Sequence, residues 1–312
     1  MATHTMMRYR VFGGVFASPF HFPELRDEPE GTATDWTLQV VDGAAPAVAS
    51  TFVGREELAD GIEAHLDRTP QGIRLRFDDT GTFDISDGGS RLLWYPAPGS
   101  DRELVRVDIL GRVLAAATHE RGVLCLHGSA VAIAGTAVGF LAPKGSGKST
   151  LAIALASHGA RLLTDDTLPV EPDTGLARPG VHSVRLWNDA AEHFASLGAW
   201  RVGLSDKRTF DTLPDSLVQH EAVPLGALYE LRPRDGGDMP EVVRRTIRAP
   251  AHGAMTLMQH SKLGGLLGGP ESLRVFDACA RIAARVPVYQ LEVARALDAV
   301  DDVAEIIMRW HR

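Results

Sequence analysis

Residues 142 to 149 read Ala-Pro-Lys-Gly-Ser-Gly-Lys-Ser, lodged between a short β-prone run and an apolar helix-forming run. That order constrains the fold more than anything else in the chain. A glycine-rich loop that leaves a strand and opens a helix aims consecutive backbone N–H groups, and the positive end of the helix dipole, at one point. It is therefore a cradle for phosphate. Upstream, Ala137 to Leu141 supplies the strand; downstream, Leu151-Ala-Ile-Ala-Leu155 supplies an apolar helix. The octet fits the Walker A pattern with Ala142 in place of the first glycine. Gly145 and Gly147 let the loop wrap closely. Lys148 is placed to neutralise β- and γ-phosphate charge, and the Ser149 hydroxyl to ligate Mg²⁺. With Pro143, Ser146 and Thr150 these residues form the expected ATP site. Lys144 lies in the same loop and is either a further phosphate contact or a solvated lysine.

The remaining pattern reads as α/β. The first hundred residues carry alternating segments, among them Ile73/Leu75/Phe77 and Phe83/Ile85, with Asp78-Asp-Thr-Gly81 as a hairpin turn between them. One helix is expected at Arg55 to Leu66. Pro96-Ala-Pro-Gly-Ser100 opposes helix and strand alike and suggests a boundary, giving a β-rich region over 1–100 and a second domain over 101–312. Asp101 to Arg121 has helical spacing and ends at Gly122, where a C-terminal cap belongs. Three β-rich runs follow, Val123 to Leu126, Ala130 to Ala134 and Ala137 to Leu141, and then the loop and a helix from about Lys148 to Ser157. After Gly159, Arg161 to Thr164 reads as a strand delivering Asp165 and Asp166 at its end. Leu225 to Leu231 and Val286 to Leu291 read as strands, Arg232 to Met239 as a solvated loop, and Leu297 to Trp310 as a closing amphipathic helix.

Charge narrows the partners. With 32 basic and 40 acidic residues the formal charge is −8, so no bulk positive field holds nucleic acid or anionic lipid, and a phosphate site must be built locally. The longest nearly apolar stretch, Ala130 to Ala142, falls short of the ~20 residues of a membrane helix. The apolar run Val11 to Ala17 is too short for an export signal. Cys125 and Cys279 have no metal-ligand or C-x-x-C spacing and are expected to be buried free thiols of a cytoplasmic protein.

Asp166 lies 18 positions beyond Lys148, closer than the Walker B acid of common ATPases, and no ABC signature loop is present. The stretch Leu126-His-Gly-Ser-Ala-Val131, then Gly145-Ser-Gly-Lys-Ser149, then Gly159-Ala-Arg-Leu-Leu-Thr-Asp-Asp166, resembles the catalytic domain of HPr kinase/phosphorylase. The resemblance implies a P-loop kinase domain with a mixed sheet. It places His127 beside the reacting phosphate and makes Asp166 the base that takes the serine proton, with Asp165 supporting Mg²⁺ or holding Asp166. Thr150 stands where that family usually has Glu, and its downstream Glu-rich motif is not matched here, which argues against reverse phosphorolysis. Val184-Arg-Leu-Trp-Asn-Asp189 and Asp206-Lys-Arg208 resemble instead the shorter HPr-kinase-related peptide kinases, including those that phosphorylate lasso-peptide precursors on serine. Arg185, Lys207 and Arg208 are candidates to meet phosphate or a peptide carboxylate, or are plain surface charge; Trp187 reads as core.

The expectation is an ATP- and Mg²⁺-dependent kinase acting on a serine of a peptide or small protein, with no nucleic-acid or membrane partner. Self-association into a homo-oligomer is left open. Its rivals are an HPr-kinase-like regulator or small-molecule kinase, and a regulator that binds ATP without transferring phosphate.

Overall fold

A computed structural model describes residues 5–59, 61–198, 200–202, 207–211, 213–234, 242–294 and 296–312. Asp206 and residues 235–239 of the expected loop lie outside the described residues. The chain forms two compact units, one of Met1–Cys125 with Lys262–Val275, the other of Leu126–Ser261 with Phe276–Arg312. The prolines near residue 100 do not end the first unit; it runs on through a helix and takes back a later segment.

The first unit is built on a nine-stranded sheet. Strands Gly72–Phe77 and Gly81–Ser86 pair Ile73 with Ile85 and Leu75 with Phe83, so the alternating residues share one buried face. The helix expected at Arg55 to Leu66 is not there. Thr51–Ala59 and Ile62–Thr69 instead pair as an antiparallel hairpin. Gly61, just before the second strand, takes a φ of 73°, and Ala64 and Leu66 are buried between more exposed neighbours, a period of two. Beyond Pro96, Asp101 caps a helix by accepting from Glu103 N; the helix runs Arg102–Asp108, through a wider π turn at Ile109–Val113, into Leu114–His119.

At the start of the second unit, two of the three expected β runs merge. Leu124–Ile133 is one strand, turning back antiparallel as Thr136–Leu141, which leads into the glycine loop. Thr136–Leu141 pairs parallel with Val223–Arg234, and that strand pairs parallel with Val288–Ala294. Val243–Ile247 adds an antiparallel edge, and Arg161–Thr164 flanks Leu124–Ile133. Arg232 to Arg234, read as loop, continue the strand.

The loop helix Lys148–Ser157 explains how the cradle is fixed. Residues Leu151 to Ala156 are all buried, so the helix lies in a core shared with Val138 and Phe140 of its own sheet, Val184 and Leu186 of a small three-stranded sheet, and Val303 and Ile307 of the closing helix Val300–His311. Burying Leu151, Ile153 and Leu155 contributes roughly 6 kcal/mol. Both cysteines are buried. Among the described residues no helix is long and apolar enough to cross a membrane.

Candidate functional site

The site grows from the loop. Gly145 and Gly147 hold φ values of 84° and 87°, and Gly147 caps the helix from the left-handed region. A Cβ added to either would meet no atom within 4 Å, so the loop needs glycine for backbone conformation and not for room. Ala142, the departure from the first glycine of the pattern, is wholly buried at the strand end, where its methyl is part of the core.

Lys148 opens the helix and is only 7% exposed. Its ammonium donates to the carbonyls of Ala142 at 2.7 Å and Pro143 at 3.1 Å, and lies 3.3 Å from His127 Nε2. An ammonium can only donate, so Nε2 is the acceptor and the ring proton sits on Nδ1. Nδ1 in turn is 3.1 Å from the Asp166 carbonyl and 3.3 Å from Asp166 Oδ1. A hydrogen-bonded line therefore runs from Lys148 through His127 to Asp166.

Alternation along Leu124–Ile133 puts His127 and Ser129 on the same side of the strand. Ser129, fully buried, donates to Asp165 Oδ1 at 2.5 Å, and Ser149 donates to the same oxygen at 2.8 Å. Asp165 is 5% exposed, whereas the Asp166 side chain is 37% exposed. The two acids thus point to different environments. Asp166 takes a φ of 69°, a left-handed conformation that Asp tolerates better than most side chains, and strain of this kind gathers at functional sites. Chain packing supports the turn: Gly180 lies so close that a Cβ there would sit 2.0 Å from Thr164 Oγ1, and Asp165 N donates to Val181 O at 2.8 Å.

The residues expected to hold Mg²⁺ fit a hard cation. Ser149 Oγ and Asp165 Oδ1 are 2.8 Å apart, close to the ~3 Å edge of an octahedron with ligands at about 2.1 Å. The described residues hold no cluster of three or more His, Cys, Asp or Glu that could bind a metal, so water and phosphate oxygens would fill the remaining positions.

Residues that the sequence reading did not single out surround this centre. His260 accepts a hydrogen bond from His127 N at 2.6 Å through its carbonyl. Burial, opposed by the neighbouring Glu230 carboxylate and reinforced by the Lys148 and Arg232 charges, pushes its imidazole down to about 4. Glu230 pairs in register with Leu141, is 4% exposed, and accepts from Arg232 at 2.6 Å and Arg248 at 2.5 Å. Ser129 was legible as the residue two beyond His127; His260 and Glu230 carried no local signal.

The three undecided cations separate. Arg208 is held by Asn188 at 3.1 Å and Glu192 at 3.0 Å. Lys207 lies beside the loop and the acid pair: burial and the nearby Arg185 and Lys144 charges lower its pKa, against the pull of Asp165 and Asp166. Trp187, read as core, is 47% exposed, with Lys207 Nζ 4.9 Å from its ring centre.

No family model matches the chain, and no curated protein matches it. A solved structure similar to it is the Hpr(Ser) kinase/phosphatase from Coxiella burnetii, at 15% identity over 60% of this chain and 95% of that one, with a TM-score of 0.31. So remote a likeness adds nothing to what the side chains themselves establish.

Proposed function

We propose that this protein is a kinase that moves the terminal phosphoryl group of ATP onto a serine hydroxyl of a peptide or small protein, as in the tailoring of a lasso-peptide precursor. One observation carries the reading: the line from Lys148 through His127 to Asp166, which joins a phosphate-binding lysine to a solvent-accessible carboxylate.

Phosphoryl transfer asks a protein mainly for position and charge. The loop amides and Lys148 hold the triphosphate, and Asp166 orients the incoming hydroxyl and takes its proton. The acceptor oxygen bonds to the terminal phosphorus as the bond to the ADP oxygen breaks. His127, donating from Nδ1 and accepting at Nε2, keeps the base in register with the lysine. Mg²⁺, held by Ser149 and Asp165, supplies charge neutralisation for the phosphates when bound. A cytoplasmic site of action, where ATP is abundant, suits this chemistry.

The test is Asp166→Asn, assayed with labelled ATP, Mg²⁺ and serine-bearing peptides. Transfer should fall by about 10²–10⁴-fold with nucleotide affinity retained. Undiminished transfer would remove Asp166 from the chemistry. Tight ATP binding with no transfer by the parent protein, to any peptide or metabolite, would make it a binding regulator.

A further inference from the structure

The chain enters the small three-stranded sheet from a contact with the acid pair. Val181 is hydrogen-bonded to Asp165, and three residues later the chain enters Val184–Trp187, which pairs antiparallel with Lys207–Phe210. Along Val184–Trp187 burial alternates: Val184 and Leu186 pack into the core, while Arg185 and Trp187 face outward. Lys207 is the register partner of Trp187 and covers its ring, a cation held over an exposed aromatic face.

Arg185 has no acidic partner among the described residues, in a chain whose formal charge is −8. In the strand pairing Arg185 is opposite Thr209, two positions along the same strand from Lys207, and the Arg185 and Lys144 charges both bear on Lys207. Among the described residues neither Arg185 nor Lys207 is held in an ion pair. Asp165 and Asp166 are the only acids that offset Lys207 among its main influences, and both already serve the centre.

Which anion fits follows from direction. In an in-line transfer the attacking group approaches the terminal phosphorus from the side opposite the departing nucleotide, and here that is the side of Asp166. Groups next to the acid pair therefore meet the acceptor rather than the nucleobase. An arginine and a lysine side by side suit a carboxylate, with the guanidinium fork supplying paired donors. We infer that Arg185 and Lys207 form an acceptor subsite that binds a carboxylate close to the reacting hydroxyl, either a chain-terminal one or that of a neighbouring Asp or Glu. Arg208, tied to Asn188 and Glu192, takes no part. The inference rests on the phosphoryl-transfer reading for its placement of the acceptor, but its test needs no turnover.

The measurement is calorimetric binding to the Mg-ADP-loaded protein of three tripeptides: Ala-Ala-Ser with a free carboxyl terminus, the same peptide amidated, and Ala-Asp-Ser amide. At least one carboxylate-bearing peptide should bind about tenfold tighter than the uncharged amide, and which one does so identifies the source. Arg185→Ala and Lys207→Ala should each erase that preference with nucleotide affinity unchanged, and Arg208→Ala should keep it. Lys207→Met, which retains the stem over Trp187, replaces the alanine variant if that one does not fold. Equal binding of all three peptides, no binding of any, or a preference that survives these substitutions overturns the subsite. A protein that prefers carboxylates yet transfers nothing keeps the subsite and loses the kinase reading. Transfer without a carboxylate preference does the reverse.

Discussion

Replacing Ser129 by alanine should cost more than its size suggests. Its hydroxyl is wholly buried and gives Asp165 Oδ1 one of the two donors it receives, the other being Ser149. A hydrogen bond to a charged group contributes about 1.5–3 kcal/mol, and a buried acceptor left short of a donor bears its full desolvation cost. The lost methylene-sized volume adds little, because the side chain is small. We expect a loss of about 2 kcal/mol, which for a unit of this size lowers Tm by roughly 4–8 °C. Urea unfolding should move its midpoint and leave its slope unchanged. A double-mutant cycle then assigns the loss: with Asp165→Asn in place, the acceptor is neutral and removing the Ser129 hydroxyl should cost under about 1 kcal/mol. A Ser129→Ala protein within about 0.5 kcal/mol of the parent would refute the reasoning, as would an equal cost in both backgrounds.

The other predictions concern pH and the loop. His260 titrates near 4 when folded and 6.5 when free, so the unfolded chain binds the extra proton between those values. Its contribution of up to about 3 kcal/mol is complete above pH 6.5 and is lost on acidification toward pH 4; His260→Gln should flatten that part of the stability–pH curve, and an unchanged slope would count against the burial argument. Gly147→Ala has room for the methyl but not the conformation, so it should lose about 1–2 kcal/mol and weaken nucleotide binding; an alanine loop with full ATP affinity would contradict the role given to its φ of 87°.

Much of the site was legible because its chemistry is local. The loop glycines, Lys148 and Ser149 occupy one turn, and Asp165 and Asp166 close the next strand, so spacing alone brings them together. Ser129 needed only the period of the strand. His260 and Glu230 arrive from far along the chain through pairing that no window of sequence reveals. Arg55 to Leu66 failed for another reason: its apolar residues fit both periods, and pairing of the two strands on either side of Gly61 decided for the hairpin. Charge type alone did not separate Lys207 from Arg208; strand direction and the helix residues Asn188 and Glu192 did.

The left-handed backbone of Asp166 limits what can replace it. Glycine, asparagine and aspartate enter that conformation readily, and a β-branched or bulky residue does so only under strain. Alanine scanning at this position would therefore mix a lost carboxylate with a rearranged turn, and a glutamate swap would add both reach and strain. Asparagine changes the charge and spares the geometry. The same restriction would apply to a lineage drifting toward an inactive nucleotide sensor, for which a one-atom exchange of oxygen for nitrogen is the shortest route.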